Sequence, residues 1–351
     1  VGDKVRIGFV GCGYMGQKAH LDNFVTIPEC EVVALAEGRT KTAEMVAAKY
    51  RIPRVYPDHR AMLAAEKLDA VVAIMYYGLH HAVVPDLLSA GVHVLTEKPI
   101  CVRSDTARSM AELADAKGVI YYVGYMKRST PAVQAAVRTI DEWKASGEFG
   151  KLRYLRASMP PGDWIYNMEA PIGAGDAPPA YEGQALEELP QWLDPDTQQT
   201  YNAFVNYYIH QVNLIRYLLG EDYKVTYVDP ANATLSAVSD SGVPIVLEMQ
   251  GYGLRNAWEE HYRAVFDEGK VEVDVPAPMA RQRGGEVSIF RGKDLQTVES
   301  PVVPSHWCFL EQARHFVRCV GAGETPRTSP WDAVKDLEVS EQHARLLSGG
   351  G

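Results

Sequence analysis

The segment VRIGFVGCGYMG (residues 5–16), read together with Glu37, decides the fold of this chain. Val5–Val10 is a short apolar run of the kind that forms a buried strand. Gly11, Gly13 and Gly16 follow as G-x-G-x-x-G, with Tyr14 and Met15 inside the turn, and a helix-compatible stretch comes next. Each glycine has its own task. The first permits the tight turn, the second lets the backbone approach a pyrophosphate, and the third allows close helix–strand packing. The phosphates would sit at a helix N-terminus, where free N–H groups and the dipole favour anions. EVVALAE (31–37) reads as a second strand ending in a carboxylate, and Glu37 lies near the offset of about 20 residues expected for the group that binds a ribose 2′-hydroxyl. Arg39 could instead meet a 2′-phosphate, but Glu37 would repel it, so NAD is favoured, with NADP possible.

A chain of 351 residues is long enough for two domains, each with a core of its own. Its 46% hydrophobic and 23% charged residues are those of an ordinary globular protein. No apolar run is long enough to span a bilayer, and with the first strand starting almost at once no secretory leader is expected. Five scattered cysteines, an odd number, point to reduced thiols in a cytoplasm rather than a disulfide framework. A net charge of −10 argues against nucleic acid as a partner. No H-E-x-x-H or paired C-x-x-C occurs, so no metal is assigned.

Strand and helix signals alternate over the first 125 residues. TKTAEMVAAKY (40–50) is helical, with Thr40 as candidate N-cap. DAVVAIMYY (69–77), VHVLTE (92–97) and VIYYVGY (119–125) read as parallel strands, with helices at 80–90 and 105–117 between them. Repeated units of this kind predict an N-terminal Rossmann domain (1–125), a doubly wound parallel sheet. The pattern then changes. A helix at 130–147 leads to a strand at 152–158, and beyond residue 221 strands with short turns (SDSG, DEG, RGG) predict a mostly antiparallel sheet. Helices at 309–320 and 331–347 close the chain. Residues 157–215 lack Lys and Arg altogether while carrying eight acidic residues and seven prolines, so 157–205 reads as a long ordered loop over a site. Trp164, Tyr166, Trp192 and Tyr201 argue against disorder there.

The chain resembles the glucose–fructose oxidoreductase/inositol dehydrogenase/MocA-type (Gfo/Idh/MocA) oxidoreductases. The resemblance rests on GCGYMG (11–16), HHAVVPDLLSAGVHVLTEKP (80–99), VGYMKRSTPAV (123–133) and YYIHQVNLIRYLLG (207–220), in the family's order and over nearly the whole chain. It implies a C-terminal α/β domain (126–351) with a large, open, mostly antiparallel sheet that binds substrate and forms a homodimer or homotetramer. The family's catalytic lysine matches Lys98, and the Lys–Pro bond of that motif is commonly cis. A lysine at the C-terminal end of a parallel strand sits at the ligand edge of such a sheet. Beside a positively charged nicotinamide its pKa would fall, letting it assist proton transfer. Where the family has Asp-x-x-x-His followed by a further Asp, this chain has Asn206, His210 and Asn213. Spacings of four and three place these on one helix face, opposite Val212, Ile215 and Leu219.

His210 is the expected general base, with Asn206 and Asn213 as hydrogen-bonders to substrate. The Asn206 departure removes a carboxylate that would orient or relay protons with the histidine. Met126 stands where asparagine is common, and Tyr76–Tyr77 replace a frequent proline pair. The resemblance places Gly11, Gly13, Tyr14, Met15, Gly16, Glu37, Arg39, Tyr76, His80, Glu97, Lys98 and Met126 around the cofactor. Tyr125, Arg128, Trp164, Asn206 and Asn213 are placed around the substrate. Arg128 either lines the pocket or caps the domain junction; Trp164 and Trp192 either stack on sugar faces or anchor the loop. His81, His93, His261 and His315 have no match and read as structural or exposed. A site without Lys or Arg in its long loop is a poor host for phosphorylated or nucleotide-linked sugars. The expected activity is therefore reversible, NAD-dependent oxidation of a secondary hydroxyl of a neutral sugar, glycoside or cyclitol. The alternative is a catalytically impaired, NAD-binding sugar sensor of the same fold.

Overall fold

A computed structural model describes residues 4–165, 168–177, 186–252, 254 and 256–349. Tyr166, one of the aromatics singled out above, lies outside them. The chain forms two compact units: Val1–Tyr125 with Glu169–Gln191 and Phe309–Val334, and Met126–Met168 with Trp192–Cys308 and Lys335–Gly351.

The first unit is built on strands β1 (Val5–Val10), β2 (Cys30–Ala36), β3 (Arg54–Tyr56), β4 (Ala70–Ala73), β5 (His93–Glu97) and β6 (Tyr121–Gly124). They form one sheet in the order β3-β2-β1-β4-β5-β6, and every pairing is parallel. The order reverses between β1 and β4, the switch point at which doubly wound sheets bind ligands. Helices on both faces explain why the strands are continuous apolar runs rather than alternating ones: Ala70–Ala73 are buried throughout. Two strands are shorter than the apolar runs 69–77 and 119–125 imply. After Ala73 the chain leaves the sheet into a 3₁₀ turn at Tyr77–Leu79, and β6 stops at Gly124 ahead of another at Met126–Ser129. Hydrophobicity marks burial, and burial continues past the last ladder bond. The late helix Cys308–Ala322 returns to this unit, where Phe316 packs edge-on against Phe24 and Tyr122.

The second unit carries β7 (Leu152–Ser158), β8 (Tyr223–Val228), β9 (Thr234–Ser239), β10 (Pro244–Glu248), β11 (His261–Phe266), β12 (Gly269–Asp274), β13 (Glu286–Arg291) and β14 (Thr297–Glu299). Their order is β14-β13-β12-β11-β7-β10-β9-β8, antiparallel except for the β7–β10 pair. Alternation is clean here. In β11, Tyr262, Ala264 and Phe266 are buried while His261, Arg263 and Val265 are half-buried. The buried rows pack against the helices Pro131–Ser146, Ile209–Leu219 and Pro330–Leu347 in one core that includes Trp143, Ile215 and Val339.

The expected loop 157–205 contains a helix, Pro195–Tyr207. Asp194 accepts a hydrogen bond from the Thr197 N–H at 2.9 Å, and Pro195 occupies the first turn. This capping signal is plain in DPDT, but the proline content of the segment hides it. Tyr201 is a core residue of this helix, fully buried. No helix among the described residues is long and apolar enough to cross a membrane.

Candidate functional site

The glycine turn lies between β1 and a helical segment that begins at Tyr14 and includes a π-helical stretch, Gly16–Leu21. Gly11 has φ +84°, and a Cβ there would fall 2.3 Å from the Ile74 carbonyl oxygen. A Cβ on Gly16 would fall 2.9 Å from the Gly11 oxygen, so helix and turn touch. Gly13 differs: a Cβ there would meet nothing within 4 Å. The fold itself therefore forbids a side chain at Gly11 and Gly16, whereas only a ligand could forbid one at Gly13. Tyr14 and Met15 are half-buried beside it.

Glu37 follows β2 directly. Its carboxylate accepts from the Cys12 N–H (3.0 Å), the Arg39 N–H (3.1 Å), Arg39 Nε (2.9 Å) and Arg39 Nη2 (2.8 Å). Burial pushes its pKa up, but these donors win and hold it below the usual carboxylate range. The same burial and carboxylate push the Cys12 thiol up to about 12, so it is not a nucleophile.

Lys98 is half-buried at the C-terminal end of β5, and the Lys98–Pro99 bond is cis. Glu97 is buried and committed within the protein: Oε1 lies 2.8 Å from His20 Nε2, and Oε2 accepts the Lys98 N–H at 3.2 Å. His20 was not anticipated, although it sits one helical turn after Gly16, on the side where a strand-end carboxylate would be. His80 is fully buried, with Nδ1 2.9 Å from the Ile100 carbonyl. Burial lowers its pKa to about 4, so near neutrality it is uncharged, Nδ1–H donates to Ile100, and it braces the segment after Pro99. Tyr76 is 52% exposed and packs on Tyr77 with ring centres 4.6 Å apart. Tyr125 is buried at the end of this unit.

Part of the Lys/Arg-free segment docks on this unit at both its described ends. The Gln17 amide exchanges two hydrogen bonds with the backbone of Ile172 (2.8 and 2.9 Å). Asp176 binds the start of the helix Thr40–Tyr50. Farther on, Glu187 donates its N–H to the Gly78 carbonyl and accepts the Val102 N–H. The N-cap of that helix is Arg39 rather than Thr40, and it makes no side-chain cap.

In the second unit the helical run is interrupted at Tyr208, so Asn206 and His210 belong to successive helices. Asn206 is exposed and His210 is buried. Asn213 is 1% exposed and its amide is engaged at both oxygen and nitrogen, accepting from Arg128 Nε at 2.7 Å and donating to Asp336 at 2.6 Å. Arg216 pairs with the other Asp336 oxygen at 2.9 Å, and the Arg128 guanidinium lies 4.6 Å from the Tyr217 ring centre. Asn213 and Arg128 thus take part in a buried polar network. Gln211, next to His210, donates to Glu260 at 2.7 Å, and Glu260 is the buried partner of Lys127 at 2.6 Å. Burial pulls Lys127 below its ordinary pKa against the opposing pull of Glu260. Met126 is buried beside Lys127, and Trp164 is half-buried. Trp192 lies under the Arg345 guanidinium, 3.6 Å from the ring centre, which is the anchoring role.

A sequence profile described as an oxidoreductase family with an NAD-binding Rossmann fold matches residues 5–125. The chain is similar to scyllo-inositol 2-dehydrogenase (NAD(+)) of Bacillus subtilis, 25% identical across 96% of this chain and 92% of that one. It is similar to D-apiose dehydrogenase of Paraburkholderia graminis, 25% identical across 95% of this chain and 84% of that one. Among solved structures, levoglucosan dehydrogenase in complex with NADH and levoglucosan shares the fold, with a TM-score of 0.74 at 16% identity over 99% of this chain and 98% of that one.

Proposed function

The chain belongs to the Gfo/Idh/MocA family of oxidoreductases, and from that premise we propose that it oxidises a secondary hydroxyl of a neutral sugar, glycoside or cyclitol, reversibly, with NAD. The observation that carries the cofactor half is the contrast at the glycine turn: Gly13 is the position where a side chain would obstruct a ligand and nothing else. Residues 1–125 are the dinucleotide-binding domain and residues 126–351 the substrate domain in this reading. Gly11–Gly16 cradle the pyrophosphate at the helix N-terminus, and Glu37 accepts the ribose hydroxyls. Glu37 gains room for a hydroxyl by giving up a bond to Arg39, whose side chain is 26% exposed.

The bound nicotinamide supplies the two-electron acceptor. His210 takes the hydroxyl proton on its imidazole, and Lys98 steadies the developing negative charge on oxygen. Asn206, exposed at the end of its helix, is the substrate hydrogen-bonder that remains from the expected trio, and Trp164 is the candidate for stacking on a sugar face. The Arg128–Asn213–Asp336 network is a positioning device that fixes the helix carrying His210.

The test is purified protein with NAD or NADP and a panel of sugars and cyclitols, following reduced-nicotinamide absorbance. Turnover lost in both Lys98→Ala and His210→Ala supports the reading. Unchanged turnover in Lys98→Ala overturns the mechanism, and saturating turnover only with a sugar phosphate overturns the neutral substrate. A cytoplasmic location and a homodimer or homotetramer through the second sheet belong to the same proposal. Five buried cysteines that form no disulfide support the first, and the half-buried outward rows of β7, β10 and β11 support the second. Light scattering of the purified chain tests the assembly.

A further inference from the structure

The helix Thr40–Tyr50 begins beside Glu37 and has no acidic residue in its first turn and no capping side chain of its own. Its cap comes from far along the chain. Asp176, 135 residues beyond Lys41, accepts the Lys41 N–H at 3.0 Å and the Thr42 N–H at 3.3 Å, and its other oxygen takes the Thr42 hydroxyl. These donors, with the Arg39 guanidinium, form a corner suited to an anion immediately next to the carboxylate that marks the ribose. Every one of them is held by a carboxylate: the N–H groups and hydroxyl by Asp176, the guanidinium by Glu37. Thr42 also receives the Ala174 N–H at 3.0 Å, so the segment that delivers Asp176 is pinned at the same point. Thr42 lowers the Asp176 pKa, keeping the group ionised near neutrality.

We propose that Asp176 is a specificity-determining residue that occupies the corner a 2′-phosphate would need and thereby turns the protein away from NADP. The inference rests on the reading of the first unit as a dinucleotide domain and deepens it. A 2′-phosphate entering this corner would find its hydrogen-bond donors taken and two negative charges facing it. A 2′-hydroxyl needs none of those donors and meets Glu37 alone. The arrangement divides the labour: Glu37 selects for the hydroxyl, and Asp176 selects against the phosphate.

The experiment is calorimetric titration of the full chain with NAD and, separately, NADP, and with ADP-ribose and its 2′-phosphate, which probe the corner without the nicotinamide. Asp176→Asn keeps the shape and removes the charge, and Asp176→Ser frees the corner. Both should tighten NADP and the 2′-phosphorylated fragment by about tenfold or more while NAD stays within about threefold. Gln17→Ala loosens the same segment at Ile172 without touching the charge, and should leave the NADP-to-NAD ratio where it is in the parent protein. A ratio that stays put in both Asp176 variants overturns the inference, as does an equal shift in Gln17→Ala. A parent protein that binds neither dinucleotide overturns the cofactor reading itself, and this inference with it.

Discussion

The two units keep their chemistry in different places. In the first, the decisive features are backbone ones: a turn that tolerates no Cβ at Gly11, an open approach at Gly13, a carboxylate and a lysine at strand ends. In the second, His210 sits among buried side chains whose neighbours are themselves held by partners remote in sequence, Gln211 by Glu260 and Asn213 by Arg128 and Asp336. A site written in backbone geometry is local, so the residues that form it are consecutive. A site written in side-chain networks is assembled by the fold.

The largest test of that contrast is at Lys98. Lys98→Ala should lower turnover by about 10²–10⁴-fold while dinucleotide binding, measured by titration, stays close to the parent value. In the second unit, Glu260→Ala should cost about 3–5 kcal/mol of stability in a urea titration, because it strands the Lys127 ammonium in a dry interior. Replacing both partners, Lys127→Met with Glu260→Leu, should recover part of that loss; no recovery would mean that Gln211 and Tyr262, also bonded to Glu260, matter more than the ion pair.

The glycines offer a finer cut. Gly11→Ala should lose cofactor binding and also about 1–3 kcal/mol of stability, since its φ of +84° and the Ile74 oxygen both oppose a Cβ. Gly13→Ala should lose cofactor binding with the melting temperature unchanged. If both variants melt alike, the distinction between a turn glycine and a ligand glycine fails here.

A pH dependence is shared by the two units. His80 in the first and His343 in the second are fully buried, and burial lowers the pKa of each to about 4 from an ordinary 6.5. Between those values the unfolded chain binds a proton that the folded one does not. Stability is therefore full above about pH 6.5 and falls on acidification by about 1.4 kcal/mol per pH unit for each histidine, until pH 4. Urea midpoints at pH 7 and pH 5 measure the slope, and His343→Gln should reduce it by one histidine's share.

Much of the fold is legible in the residues. Parallel strands buried on both faces are continuous apolar runs, and the strands of the second sheet alternate, so the period separates the two sheets before any coordinates exist. Errors fell where a local signal met a competing one. The helix at 195–207 was hidden in a proline-rich segment although one of those prolines, Pro195, starts it, and the helix at 40–50 is capped by Asp176 where Thr40 looked sufficient. The polar spacing of Asn206, His210 and Asn213 described one face, but the interruption at Tyr208 and the burial of Asn213 gave the three residues different surroundings.

By itself the sequence determined the dinucleotide turn, the acidic residue after the second strand, the lysine before the proline, and through them the family. These depend on residues within one turn or one strand–helix unit, where covalent geometry and hydrogen-bond periodicity leave few alternatives. Tertiary structure alone decided that His20 holds Glu97, that Asp336 holds Asn213 and Arg216, and that Asp176 caps a helix 135 residues upstream. Such pairs form because a buried polar group must find a partner, and the partner is whichever complementary group the packed chain brings within reach.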